Sequence, residues 1–348
     1  MMLSERHVAR ADKGDRGADG QPEALARTGS RSSEGHSESA SYCPDPSPNR
    51  RMAYPSKRNG MPDLIAPLYG VYHRLVNLTL RVNPSSALNR VDEQPPAGTD
   101  IGQELFAAVR AMKAESYDTS CNRFDYAALA GSESYARYRA CSARLQTFDP
   151  TSLRSREERL AFWINLYNAL IIDAVIAFRL KESVREDWGF FRRAAYVVGG
   201  RRYSADDIEH GILRGNRRHY HPAILLPQFA PSDPRLALSL QPVDPRIHCA
   251  LVCASRSCPP IATYEPQRIH EQLDLACSTF INAGGAQMED GGLLCLSPIF
   301  RWYRRDFGSR EGVREFVLRY LDQGDARRLL EDGRRPGFYK YDWSLNQL

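Results

Sequence analysis

The sequence predicts a mixed α/β (α+β) domain, rich in helices, built around a small sheet with a buried central helix. The stretch Leu160–Ile172 carries apolar residues on every helical face, which predicts a helix buried all round. Gly199-Gly200 lies between the strand-like segments Ala194–Val198 and Arg201–Tyr203, a spacing typical of a two-residue hairpin. The apolar run Ile247–Ala254 is bounded by prolines and has strand length, so it predicts a buried strand.

Composition and charge narrow the possible classes of protein. The chain has 348 residues, 42% apolar and 26% charged, which is ordinary for a globular protein. Its net charge of +5 comes from Lys and Arg interspersed with acids, so we expect no nucleic-acid partner. The eight cysteines follow no apolar signal-peptide core, which favours reduced thiols in a cytoplasmic protein. No apolar run reaches transmembrane length without polar interruption, so we expect no transmembrane segment.

Three regions are predicted along the chain. Residues 1–62 are rich in Ser, Gly, Arg, Pro and Asp and are expected to form a disordered tail. Residues 63–99 comprise an N-terminal helix and a linker, and residues 100–348 form the main domain. The helix is expected to pack on the domain, with a partner-binding or membrane-surface role as the alternative. Its apolar face is formed by Leu64, Ile65, Leu68, Tyr72, Leu75, Val76 and Leu80.

Further elements follow from periodicity and from helix start and stop signals. Ser204, three residues before Asp207, is typical of a capped helix start. The proline-rich stretch 216–244 predicts a long irregular crossing, and Leu293–Leu296 and the alternating Gly337–Asn346 predict strands. The predicted helices are 101–114, 132–148, one beginning near Ser155, 206–213, 266–281, 311–321 and 325–331.

The chemistry is concentrated between Asp244 and Pro260, where an imidazole and three thiols lie within eleven residues. A nucleophilic cysteine needs a base or cation that lowers its pKa and a third group that orients the base. The sequence offers Cys258 as the candidate nucleophile and His248 or His210 as the base. The polarising amide is Asn165 or Asn168, and the candidates for substrate binding are Ser255, Arg256 and Glu209. These assignments favour a thiol- or histidine-dependent hydrolase or transferase acting on a small-molecule or peptide substrate.

Several alternatives stay open. Cys258 is equally compatible with an inert buried thiol, and the two asparagines with structural clamps, because an unpaired buried amide costs about 1–3 kcal/mol. Zinc binding by His248 and the cysteines lacks a paired Cys-x-x-Cys motif, so we expect no metal and no cofactor. Thiol–disulfide exchange between Cys253 and Cys258 is a further alternative. In a non-catalytic interaction module, which leaves room for a protein partner, these groups would be buried apart from one another.

Five stretches in the same order resemble the domain-of-unknown-function family 547. The resemblance covers about residues 100–348 and implies no reaction, because this family is uncharacterised. Its members often carry Phe or Asn where this chain has Cys249, so that thiol is given no role. The matching stretches are 161–170, 207–214, 244–255 with 257–260, 296–303 with 306–307, and 341–346.

Overall fold

The computed structural model describes residues 66–348 except positions 94, 97, 99, 222 and 223, so the predicted tail, 1–62, lies outside the described residues. The α-helices are α1 (Ala66–Thr79), α2 (Ile101–Ser116), α3 (Tyr126–Ala130), α4 (Glu133–Arg144), α5 (Arg156–Ala177), α6 (Phe190–Arg193), α7 (Ile269–Phe280), α8 (Pro298–Trp302), α9 (Arg310–Tyr320) and α10 (Asp325–Glu331). The strands are β1 (Tyr117–Asp118), β2 (Arg123–Phe124), β3 (Ala195–Val198), β4 (Arg201–Ser204), β5 (Ala286–Glu289), β6 (Leu293–Leu296) and β7 (Gly337–Phe338).

The buried central helix is α5, as predicted. Ser155 caps it by accepting from the backbone N–H of Glu158, and the Glu158 carboxylate accepts in return from the backbone N–H of Ser155. The helix is long and apolar enough to cross a bilayer, yet 89% of its most apolar window is buried inside the protein. Its position is therefore that of a core helix.

The α+β class is confirmed, but the sheet is divided. Among the described residues, β1–β2 and β3–β4 form separate two-stranded sheets, and β5–β6–β7 forms a three-stranded sheet. The predicted hairpin is confirmed: Val198 pairs with Arg201 across Gly199 and Gly200, whose φ angles are 55° and 72°. Positive φ at both turn positions is what a two-residue turn of this kind requires, and glycine adopts it without steric cost.

The strand predicted over Ile247–Ala254 is wrong. Pro245 begins a short 3₁₀-helix, Pro245–Cys249, capped by the side chain of Asp244, and the chain then continues as a loop. A short apolar run without clear periodicity does not distinguish a strand from other buried backbone. The backbone groups of this run were expected to form hydrogen bonds with a neighbouring strand. They bond a side chain instead: the Asn168 amide donates to Ala250 O and accepts from the Val252 N–H.

The N-terminal helix forms, and two residues of its predicted apolar face, Leu64 and Ile65, lie outside the described residues. The rest of this face is only partly buried: Leu68 and Leu75 are 61% and 59% exposed, whereas Tyr72 is half-buried and its hydroxyl accepts from the backbone N–H of Leu225. The inner face of α1 also carries His73 and Asn77, which approach Arg192. The inner face of α1 is largely polar, and it borders a polar crevice that is described below.

The core has two parts that meet at one place. The larger part surrounds α5, and the smaller is formed by α7, α8 and α9 with β5 and β6. Cys253 and Trp343 pack against both parts. The candidate site lies at this junction.

Candidate functional site

A cavity of about 60 Å³ lies where the two parts of the core meet. Water occupies about 30 Å³ per molecule in the liquid, so the cavity holds a group about the size of two waters. Of its lining residues, Cys253, His219 and Trp302 are half-buried, whereas Cys258 and His248 are buried. The ionisable groups in its wall include Asp206, Glu209, His210, His219, His248, Cys253 and Cys258. The candidate cysteine and both candidate histidines of the sequence analysis therefore line one cavity.

A π-helical turn, Asp207–Leu213, directs Glu209 and His210 toward the cavity. The predicted helix start is confirmed, since the Asp207 N–H donates to the Ser204 side chain and the Asp207 carboxylate accepts from the Ser204 N–H. The wider winding appears in the bond from Arg214 N–H to Glu209 O. Insertions of this kind occur frequently at functional sites. The turn packs tightly, because a Cβ at Gly211 would lie 2.4 Å from the Phe229 ring.

The carboxylate of Asp306 connects several groups beneath the cavity. It accepts from Arg214 Nε at 2.5 Å, from Arg217 Nη1 at 2.8 Å and from His248 Nε2 at 2.9 Å. Burial alone would raise the pKa of Asp306. The hydrogen bonds and charges of His248 and Arg214 outweigh this effect and hold the pKa well below its usual range. The His248 ring also stacks on Tyr303 with centroids 3.9 Å apart. His248 is thus fixed in orientation by a carboxylate and an aromatic ring.

His210 is held by a cation instead. Arg214 Nη1 lies 2.8 Å from His210 Nδ1, and a guanidinium donates but does not accept. Nδ1 is therefore the acceptor, and in the neutral ring Nε2 carries the proton. Burial and the nearby positive charge lower the pKa of His210, so the ring is neutral at physiological pH. His210 is consequently a weak base and a hydrogen-bond donor through Nε2.

The two cysteines of the loop differ in their surroundings. Cys253 Sγ lies 3.1 Å from Ser255 Oγ and 3.2 Å from the Tyr341 hydroxyl. A hydrogen bond from the Cys258 thiol, together with those from Ser255 and Tyr341, lowers the pKa of Cys253 in spite of burial. Burial and the adjacent Cys253 raise the pKa of Cys258, which is only 5% exposed. The thiolate is therefore favoured at Cys253 rather than at Cys258, and thiolate character controls cysteine reactivity.

Backbone geometry and the closing segment of the chain hold this loop in place. Ala254 has φ 60°, a left-handed conformation that is uncommon for a residue with a Cβ, and it separates Cys253 from Ser255. Asn346 N–H donates to Ala254 O at 3.0 Å, and Arg256 N–H donates to Ser344 O at 2.9 Å. The hydroxyl of Tyr341 reaches Cys253 because residues 341–346 cross the loop.

Of the remaining candidates, Glu209 lines the cavity, whereas Asn165, Asn168, Ser255 and Arg256 do not. Asn165 donates to Tyr264 O at 2.7 Å and accepts from Tyr264 N–H at 3.0 Å, just as Asn168 bonds the backbone at Ala250 and Val252. Both asparagines therefore clamp loops. Arg256 is exposed and does not line the cavity. Ser255 acts through Cys253, and Glu209 lines the cavity and accepts from the Tyr167 hydroxyl at 3.1 Å.

The ligand atoms of Asp206, His210 and His219 lie within 4.8 Å of one another, a spacing suited to a metal ion. The hydrogen bonds of the rings argue against this use. His219 Nδ1 accepts from the His221 backbone N–H at 2.8 Å, and His210 Nδ1 accepts from Arg214. Metal-bound histidines usually donate their second ring N–H to an acceptor, whereas here both second nitrogens face donors. As hydrogen bonded here, each ring presents an N–H through Nε2 rather than a free lone pair.

Sequence reasoning did not single out Asp206, His219, Tyr303, Asp306 or Tyr341 as functional residues. Asp206 lies four residues before His210, a spacing that places both side chains on one helical face. Tyr303, Asp306 and Tyr341 lie in stretches that carry the family resemblance, so the signal was present. What was missing was the long-range contact that joins these stretches to His248 and Cys253.

The fold and the site together define an α+β domain with a thiol and imidazole cavity at its centre. Residues 150–281 match the model of the family described as protein of unknown function, DUF547, so this stretch of the chain is a DUF547 domain. The resemblance noted in the sequence is thereby confirmed for these residues. No curated protein and no solved structure matches the chain.

Proposed function

We propose that this protein is a thiol-dependent hydrolase or transferase with Cys253 as the nucleophile, in place of Cys258. The observation that carries the proposal is the position of Cys253, which lines a cavity and whose Sγ lies 3.2 Å from the Tyr341 hydroxyl. Hydroxyl groups at this distance stabilise the thiolate by hydrogen bonding. The presence of His248, His210 and both thiols in one cavity supports an enzyme over a non-catalytic module.

His248 is the better of the two candidate bases. The ring of a catalytic base is generally oriented by a third group, and a carboxylate in that role stabilises the imidazolium. Burial lowers the pKa of both rings, but Asp306 orients His248 and opposes this lowering, whereas Arg214 orients His210 and adds to it. In the described residues no hydrogen bond joins a histidine to Cys253 or Cys258. Catalytic hydrogen bonds often tighten only when substrate binds.

The proposed reaction is acyl transfer. The Cys253 proton passes to His248, and the thiolate adds to the carbonyl carbon of the substrate. The bond to the leaving group then breaks, and His248 returns the proton to the departing atom, which leaves a thioester on Cys253. Water or another acceptor attacks the thioester while His248 takes its proton. The bond to Cys253 Sγ then breaks, and His248 returns this proton to the sulfur as the acyl product departs. The N–H at His210 Nε2 supplies a donor for the carbonyl oxygen.

The nucleophile is tested by pH-dependent labelling with iodoacetamide and peptide mass analysis of the folded protein. Hydrogen bonds lower the pKa of Cys253. Its labelling is therefore expected to reach half its maximal rate below about pH 8.5, the pKa of an unperturbed cysteine thiol. Tyr341→Phe removes one of these bonds and is expected to move the midpoint upward. Cys121, which is exposed, serves as the reference thiol within the same sample.

Acylation by p-nitrophenyl acetate tests the reaction itself. The parent protein and Cys258→Ala are expected to form an acetyl adduct on the Cys253 peptide, whereas Cys253→Ala is expected to form none in the cavity. His248→Gln is expected to slow acylation without abolishing thiol labelling at high pH. An adduct on Cys258, or equal labelling rates of Cys253 and Cys121 at every pH, would contradict the proposal and favour an interaction module. The same need for reduced thiols leads us to propose a cytoplasmic location.

A further inference from the structure

A second and larger cavity, of about 640 Å³, lies between α1 and the β3–β4 hairpin. We refer to it as the arginine crevice, because its wall includes Arg192, Arg201, Arg202 and Arg235. Its volume falls in the range of small-molecule sites, roughly 300–1,000 Å³. The candidate active-site cavity is separate and has a different wall.

The positive charge of the crevice is only partly balanced. Its wall contains two acids, Asp207 and Asp233, and both pair with Arg235, at 3.4 Å and 2.8 Å. In the part of the chain that the structure describes, neither Arg201 nor Arg202 forms an ion pair with an acid. Burial lowers the pKa of Arg202; the charge of Asp207 opposes this lowering, and the charges of the neighbouring arginines add to it.

Polar groups at the back of the crevice also lack partners. Arg192 is buried, with its side chain 7% exposed, and donates to Gln228 Oε1 at 3.0 Å and to Asn77 Oδ1 at 3.3 Å. Its Nε has no hydrogen bond and lies 3.4 Å from Asp206, too poorly placed to donate. The Nε2 atom of His73 is likewise buried without a partner. Such groups cost stability unless another molecule or a small movement satisfies them.

We propose that the arginine crevice binds a ligand bearing a phosphate group. A phosphate monoester carries about 1.5 to 2 negative charges at pH 7, which matches the two guanidinium groups without acidic partners. Arg202 Nε and Nη2 already donate to Ser86 O and Arg192 O, at 2.8 Å and 2.6 Å, so Arg202 Nη1 and the exposed Arg201 provide the donors for phosphate oxygens. The phosphate belongs either to a soluble ester or to a lipid headgroup, since the outer face of α1 exposes Leu68, Val71, Leu75 and Leu78 beside the crevice.

The first experiment measures inorganic pyrophosphate binding to the full chain by calorimetry at fixed salt concentration. The parent is expected to bind, and Arg202→Gln to bind at least about tenfold more weakly, because a charge-assisted hydrogen bond is lost. Arg328→Gln, an exposed arginine on α10, is the matched control and is expected to leave binding unchanged. If Arg202→Gln does not fold, the exposed Arg201→Gln replaces it.

The second experiment identifies the source of the phosphate with vesicles of phosphatidylcholine, with or without phosphatidic acid. Binding only to the vesicles with phosphatidic acid, weakened by both Arg202→Gln and Leu75→Ser, assigns a lipid headgroup. Pyrophosphate binding without vesicle binding assigns a soluble ester. Two results overturn the proposal: no binding of either probe, or equal weakening by Arg202→Gln and Arg328→Gln.

Discussion

The candidate active-site cavity and the arginine crevice differ in how their charges are balanced. In the cavity, the groups beneath the surface are paired: Asp306 meets two arginines and His248, and Cys253 meets two hydroxyls. In the crevice, Arg201 and Arg202 have no acidic partner among the described residues. Paired, buried groups fix side chains for a reaction, whereas unpaired charges beside a larger space suit the capture of a charged ligand.

The walls of the two spaces are different, but they touch at one ion pair. Asp206 lines the cavity, Arg192 lines the crevice, and Arg192 Nε lies 3.4 Å from the Asp206 carboxylate. Burial raises the pKa of Asp206 to about 7, and Arg192 opposes this rise. The ion pair between Arg192 and Asp206 therefore links the wall of the crevice to the wall of the cavity.

The largest effect is expected from Asp306→Ala. This change leaves Arg214 and His248 buried without their carboxylate, and breaking a buried ion pair from one side costs about 3–5 kcal/mol. The free energy of unfolding from urea titration measures the loss. Asp325→Ala removes an exposed carboxylate, 76% accessible, and is expected to cost less than about 1 kcal/mol. Equal losses would show that the Asp306 network contributes no special stability.

An intermediate effect is expected from Asn168→Leu and Asn165→Leu. Each change leaves one backbone N–H and one C=O without a partner, so each is expected to lose about 1–3 kcal/mol. Only Asn168 holds the loop that leads to Cys253, so only Asn168→Leu is expected to raise the pH midpoint of Cys253 labelling. Asn165→Leu is the matched control. Unchanged stability in both variants would contradict the clamps.

The smallest effect is expected from Leu78→Ser on the outer face of α1. Leu78 is 77% exposed, and surface substitutions usually change stability by less than about 0.5 kcal/mol. Pyrophosphate binding is also expected to stay the same, because Leu78 does not line the crevice. A loss of more than about 1 kcal/mol in urea titration would mean that this face is covered, against the exposure described above.

Local signals in the sequence predicted the elements better than the site. The capping pair Ser155 and Glu158 and the glycines of the hairpin act over a few residues, so pattern alone located them. The strand at Ile247–Ala254 failed because Asn168, 82 positions from Ala250, satisfies the backbone there. The proposed reactivity of Cys253 also depends on a partner far away in the sequence, because Tyr341, whose hydroxyl contacts its Sγ, is 88 positions from it. Pattern brought the thiols together in one stretch, but it placed Cys253 in a strand and selected Cys258 as the nucleophile.

Residues 303–346 lie outside the stretch that matches the family model, yet they contribute side chains to the candidate site. Residues 150–281 contain Cys253, His210 and His248, whereas Asp306 and Tyr341 lie beyond the match. An excised segment limited to the matched residues would keep the thiols and imidazoles but lose the carboxylate that orients His248 and the phenol beside Cys253. Proteolytic loss of the C-terminal region would therefore remove both groups from the proposed site while leaving Cys253, His210 and His248 in the chain.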